Sequence, residues 1–185
     1  MINDIINETR SKMKAAVTAY EEHLQGIRGN RASTALVDRL MVDYYGQDTE
    51  LRQLANISTP EAMQILIRPY DGSAVSAIEK AIQASDIGIN PSVDGNAIRL
   101  NMPALTRERR QDLVKAVHKR AEEARISVRN TRRSANNDLK EFEGEGMISE
   151  DDQKRGESEV QKLTDDTITK IDEMAKEKEK DIMEV

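Results

Sequence analysis

The chain has 185 residues, of which 37% are hydrophobic, 34% charged and only 3% aromatic, and it has no cysteine. That composition excludes disulfides and thiolate metal sites and favours long helices over a β-sandwich. The net charge of -6 argues against a uniformly basic nucleic-acid binder, but the charge is uneven: residues 105–142 hold 11 Lys and Arg against 6 Asp and Glu, and residues 143–185 hold 7 against 15. A basic stripe on an acidic protein is more informative than the overall balance.

The first residues lack the basic region and apolar run of a secretion signal, and no apolar stretch approaches the roughly 20 residues that span a bilayer. A cytoplasmic protein without membrane association is expected. Between residues 2 and 27, Ile2, Ile6, Met13, Val17, Tyr20, Leu24 and Ile27 recur at helical spacing. Gly26 and Gly29 mark the end of that helix, with Gly29-Asn30 suited to positive φ.

From Ser33 to Pro103 the pattern changes. Leu36 to Tyr45 reads as strand, Gly46-Gln47-Asp48-Thr49 as a turn, and Ile57 and Met63–Arg68 as further strand. Ser73–Ser85 reads as a short amphipathic helix closed by Gly88. Ile87 and Ile89, then Ala97–Leu100 after the Asp94-Gly95-Asn96 turn, suggest a last hairpin. All four prolines lie in this stretch of about 70 residues, a size that can fold independently.

Thr106 is a good N-cap for a helix whose apolar stripe runs Leu113, Val117, Ala121, Ala124, Val128, Thr131, Ala135, Leu139 and Phe142. At 1.5 Å per residue it would be roughly 57 Å long. Gly144-Glu145-Gly146 makes a turn. Ser149 then caps a last helix with a stripe through Val160, Leu163, Thr167, Ile171, Met174 and Ile182. Long helices joined by so short a turn must be antiparallel neighbours. The expected fold is α+β: a long three-helix bundle of residues 1–30 and 105–185, with a small β/α/β domain of residues 31–104 inserted between its first two helices.

No catalytic constellation is present. His23 and His118 stand apart from other metal-ligand types, and zinc needs three or four ligands. Glu150, Asp151 and Asp152 follow Ser149 and read as helix capping. Gly144–Gly146 lacks the Lys-Ser or Lys-Thr of a phosphate loop, and Asp94-Gly95-Asn96 lacks the remaining ligands of a calcium loop. A monomer without cofactor or metal, and not an enzyme, is expected.

The informative residues are arginines on the second long helix. Arg125, Arg129, Arg132 and Arg133 cluster on one side, and Arg109, Arg110 and Arg120 extend the basic character toward the helix start. Arginine outnumbers lysine here, which suits bidentate phosphate recognition. Arg129, Arg132 and Arg133 have no acidic residue three or four positions away, so neutralisation within their own helix is not expected. Two readings stay open on the pattern alone: RNA binding, and ion pairing with the Glu- and Asp-rich last helix. A scaffold that binds a protein partner through the acidic helix, and a general RNA-binding protein, are further alternatives.

The sequence resembles the bacterial ribosome recycling factor family over nearly its whole length. The matching pieces are Ile27–Ser33, Val42–Gly46, Leu51–Ala55, Glu79–Pro91, Leu105–Arg110, Val128–Arg133 and Ile148–Asp152. The resemblance implies an L-shaped protein with a transfer-RNA-like outline, a three-helix bundle forming its long arm. It implies binding to large-subunit ribosomal RNA of the post-termination ribosome and, with elongation factor G and GTP, dissociation into subunits. Family ribosomal RNA contacts map onto Arg110, Arg129 and Arg132, to which the pattern adds Arg133. A hinge maps onto Arg28, Gly29, Asn30 and Arg31 and onto Pro103, Ala104 and Leu105. Two departures bear on that hinge: the family usually reads Thr-Gly at Gly29-Asn30, and it usually has two consecutive prolines where this chain has Pro103-Ala104. Losing one proline should loosen that strand.

Overall fold

The computed structural model describes residues 1–184. It is a mixed helix and strand structure in which three long helices flank a small sheet-bearing segment in the chain order. Helix α1 spans Ile2–Gln25, α4 Arg107–Gly144 and α5 Glu150–Met183. Between them lie β1 (Met41–Tyr44), β2 (Gln47–Glu50), α2 (Leu51–Leu54), β3 (Ala55–Glu61), β4 (Gln64–Pro69), α3 (Val75–Ala84), β5 (Pro91–Asp94) and β6 (Ala97–Asn101). Contacts divide the described residues into two compact units, residues 1–24 with 114–180 and residues 25–113 with 181–184.

Local chemistry sets the helix ends. The Thr106 hydroxyl accepts from the Arg109 amide at 3.1 Å, and the Ser149 hydroxyl accepts from the Asp152 amide at 3.1 Å. Each satisfies a donor that the first turn leaves unpaired. At the far end of α4, Gly146 has φ 72°. Its amide donates to the Glu143 carbonyl at 2.9 Å, while the Met147 amide reaches back to the Phe142 carbonyl at 2.9 Å. That paired 5→2 and 6→1 arrangement ends a helix on a left-handed glycine, and Ile148 beside Phe142 supplies the accompanying apolar contact.

In the first unit the side-chain contacts fix the helix directions. Arg125 meets Asp172 and His118 meets Glu179, so α4 and α5 run antiparallel. The Tyr20 hydroxyl donates to the Val117 carbonyl at 3.3 Å, and Ile5 packs with Leu139, so α1 is antiparallel to α4. Thr167 reaches the Met13 sulfur, which aligns α1 with α5. The buried face of α4 follows the predicted stripe through Val117, Ala121, Ala124, Val128, Ala135 and Leu139.

The buried face of α5 differs from the expected one. Gly156, Val160, Thr164, Ile171, Ala175 and Ile182 are buried, whereas Leu163, Thr167 and Met174 are only half-buried at its edge. Small side chains let the helices approach here. A Cβ on Gly156 would lie 3.0 Å from both Leu139 methyls. Thr164 is fully buried because its hydroxyl donates to the Val160 carbonyl at 2.8 Å, so no polar atom is stranded.

In the second unit an antiparallel sheet has the strand order β3-β4-β6-β5, beside a separate β1–β2 hairpin. Ile65, Ile67, Ile98 and Leu100 on one face pack with Ile78 and Ile82 of α3. Pro91 opens one edge strand and Pro60 lies in the register break of the other, where a missing amide costs no ladder bond.

Three expectations are corrected here. The 46–49 turn is a two-residue turn at Tyr45 and Gly46, with φ 51° and 80°, and Gln47–Thr49 is strand. The last hairpin starts at Pro91 rather than Ile87, because Gly88 at φ 69° breaks the run and Ile89 is buried in the connection. Neither Gly29 nor Asn30 is among the described residues with positive φ. Gly29 lies close against Asp181: a Cβ there would meet a carboxylate oxygen of that side chain, which would have to turn aside. Among the described residues, no helix is long and apolar enough to cross a membrane.

Candidate nucleic-acid interface

The arginines of α4 fall into a paired group and an open group. Within the first unit, Arg125 is more enclosed than Arg120 or Arg129, with its side chain 23% exposed. It donates to Glu122 at 3.0 Å and to Asp172 of α5 at 2.7 Å. Burial alone would lower its pKa, but the bonds to Asp172 and Glu122 outweigh that and raise it. Arg129 reaches the other Glu122 oxygen at 2.6 Å. Bonds from Arg129 and then Arg125 hold the Glu122 carboxyl below its ordinary value. Arg120 pairs with Glu123 at 3.0 Å.

The expectation that Arg129 has no counter-charge on its own helix is therefore overturned. Glu122 lies seven residues earlier, two turns down the same face, and two extended side chains close that gap. Sequence reasoning that looked only three and four positions away passed over Glu122. Asp172 carried a weaker signal, since its proximity depends on the register between α4 and α5.

Arg132 and Arg133 behave differently. Arg132 makes one long hydrogen bond of 3.4 Å to the neutral amide of Gln161, so its charge is not cancelled. Arg133 is exposed and its guanidinium has no hydrogen bond or ion pair among the described residues. Arg132 is half-buried, and its bond to Gln161 partly orients the guanidinium before any ligand arrives. A pair of uncancelled guanidinium groups on adjacent residues suits a phosphate backbone.

In the second unit, Arg110 has a structural task. One of its terminal nitrogens donates to the Ile182 carbonyl, and to the Glu184 carbonyl at 2.9 Å. That places a cation on the unpaired carbonyls at the C-terminal end of α5. Arg109 is exposed and its guanidinium has no hydrogen bond or ion pair among the described residues. Arg28 donates to the Pro103 carbonyl and so ties together the two chain segments expected to form a hinge. Burial, and then the charges of Arg109 and Arg110, hold its pKa below the ordinary arginine value. Of the remaining hinge residues, Arg31, Pro103 and Ala104 are exposed, Asn30 and Leu105 half-buried, and Gly29 buried against Asp181.

The family model for "Ribosome recycling factor" matches residues 20–183. The curated ribosome-recycling factors of Bacillus pumilus and Syntrophomonas wolfei are 51% and 52% identical over 185 residues, all of this chain and all of each relative. That of Heliobacterium modesticaldum is 52% identical over the same span. A solution structure of a ribosome recycling factor superimposes with a TM-score of 0.81 at 48% identity, covering 100% of this chain and 98% of that one. A second structure, of the T. thermophilus ribosome recycling factor and the E. coli elongation factor G bound to the E. coli post-termination complex, gives 0.69 at 44% identity, covering 99% of each chain. The chain belongs to the ribosome recycling factor family, whose members are non-enzymatic translation factors.

Proposed function

We propose that this chain binds the post-termination ribosome in the cytoplasm and, with elongation factor G and GTP, promotes its dissociation into subunits for reuse. The observation that carries the reading is full-length likeness: relatives bearing this name align over all 185 residues at about half identity. The partner and its state come from the structural relative, whose own description places it with elongation factor G on the post-termination complex.

In this reading the bundle of residues 1–30 and 105–185 holds large-subunit ribosomal RNA. Arg132 and Arg133 supply the primary phosphate contacts, because no carboxylate cancels them. Arg129 contributes after releasing Glu122, and Arg110 chiefly by fixing the end of α5. The inserted segment, residues 31–104, moves about linkers at Arg28–Arg31 and Pro103–Leu105 when the partner hydrolyses GTP. Each phosphate contact should add about one power to the salt dependence of binding.

Light scattering from post-termination ribosomes with elongation factor G and GTP tests the proposal. Addition of this protein should accelerate the loss of scattering that accompanies splitting, and an unchanged rate would refute it.

A further inference from the structure

One row of α4 turns a single sign of uncommitted charge outward. Positions 115, 119, 122, 126, 130, 133, 137 and 140 follow one another at steps of three and four, and all eight are exposed. Lys115, Lys119, Arg133 and Lys140 are its cations, and none of their side chains makes an ion pair or hydrogen bond among the described residues. Its one acid, Glu122, is already committed, because Arg125 holds one carboxylate oxygen and Arg129 the other. At 1.5 Å per residue the row runs roughly 38 Å.

Helix α5 supplies the contrast. Its exposed row of the same spacing reads Arg155, Glu159, Lys162, Asp166, Lys170 and Glu173, so each charge has an opposite neighbour three or four residues away. Such alternation is the ordinary state of a solvated helix face. The α4 row departs from it, and Lys115 and Lys119 stand four apart with like charge, which an isolated helix disfavours. The neutral members suit RNA as well. Asn130 and Asn137 make no side-chain hydrogen bond among the described residues, so both amides are open to sugar or phosphate oxygens. Ile126, 46% exposed, is the single apolar side chain in the row. A protein interface is depleted in lysine and closes around an apolar or aromatic core, which this row does not have. Nucleic-acid interfaces are polar and cationic.

We propose that a segment of ribosomal RNA lies along this row, with phosphates on Lys115 and Lys119 at one end and on Arg133 and Lys140 at the other. Lys119 and Arg133 stand roughly 21 Å apart along the helix axis, so the two ends engage different nucleotides. The lysines act as point charges that follow the backbone whatever the base. The inference rests on the proposed ribosomal function and adds to it a contact region that the arginines alone do not reach.

Charge-matched double variants of the full chain and one crosslinking experiment test it. Lys115→Gln with Lys119→Gln should weaken binding to post-termination ribosomes about tenfold, about threefold for each lysine, and leave the melting temperature unchanged. The salt exponent of binding should fall by about two. Lys162→Gln with Lys170→Gln alters the net charge equally and should leave affinity and exponent as in the wild type. The chain has no cysteine, so Asn130→Cys carries a single photocrosslinker, which should yield adducts to large-subunit ribosomal RNA on those ribosomes. Equal losses in the two lysine pairs, no loss in the first pair, a melting temperature that falls in step with affinity, or adducts to ribosomal protein alone would each overturn the RNA contact while the wild type still binds and splits ribosomes. A wild type that does neither would instead end the functional reading and this inference together.

Discussion

The two halves of the arginine face of α4 show how little a row of like residues says about its use. Between residues 120 and 129, every arginine is engaged: Arg120 with Glu123, Arg125 with Glu122 and Asp172, Arg129 with Glu122. One turn further on, Arg132 meets only a neutral amide and Arg133 nothing among the described residues. In the first half the charges are spent on carboxylates, one of them on α5, and the second half keeps its charge available. An ion pair and an RNA contact use the same side chain, and what separates them is whether a carboxylate is already in reach.

The comparison can be broken most sharply at the open end. The double substitution Arg132→Ala with Arg133→Ala should weaken ribosome binding by roughly a hundredfold, about tenfold for each charge-assisted contact. It should reduce the salt exponent by about two and leave the melting temperature nearly unchanged. Filter binding across a salt series checks the first two and calorimetry the third. Next in size, Arg129→Ala should cost less affinity than Arg132→Ala in the same titration, because Arg129 must first leave Glu122. Equal losses would show that the Glu122 contact does not restrain it.

At the paired end the sign reverses. Arg125→Ala should lower the melting temperature by about 2–4 °C, since it unties α4 from Asp172 at a partly enclosed site. Ribosome affinity, measured below that temperature, should change little. The smallest effect expected is that of pH on the Glu122 tether. Its carboxyl titrates lower in the folded chain than in the unfolded one. The stabilisation is therefore present above the unfolded value of about 4.3 and disappears as pH falls through the folded value. Glu122→Gln should flatten that part of an acid-unfolding curve, and an unchanged curve would remove the tether from the account.

The long helices were legible because their signals are local: Thr106 and Ser149 cap where their types predict, and the α4 stripe is buried as spaced except at Thr131 and Phe142, which are half-buried. The phase of α5 was not, because its buried face uses Gly156, Thr164 and Ala175. Such small or polar residues carry little hydrophobic signal, and at Gly156 the close approach of Leu139 leaves little room for a side chain. Gly29 shows the same limit, since its close neighbour is Asp181, far along the chain. Tyr45 carried a misleading signal: β-favouring character placed it in a strand, whereas the hairpin places it in the turn. The basic face was visible in the sequence, and so were the i,i+3 partners of Arg120 and Arg125, but the seven-residue reach from Arg129 to Glu122 and the bond from Arg125 to Asp172 of α5 lie outside the usual helical neighbour spacings.

The most direct test of the central claim is subunit splitting of post-termination ribosomes by elongation factor G and GTP, run with the wild type, Arg125→Ala, and the Arg132→Ala, Arg133→Ala pair. The wild type should accelerate splitting, Arg125→Ala should retain most of that acceleration, and the double variant should lose it while remaining folded. No acceleration by the wild type, or full activity in the double variant, would contradict the account.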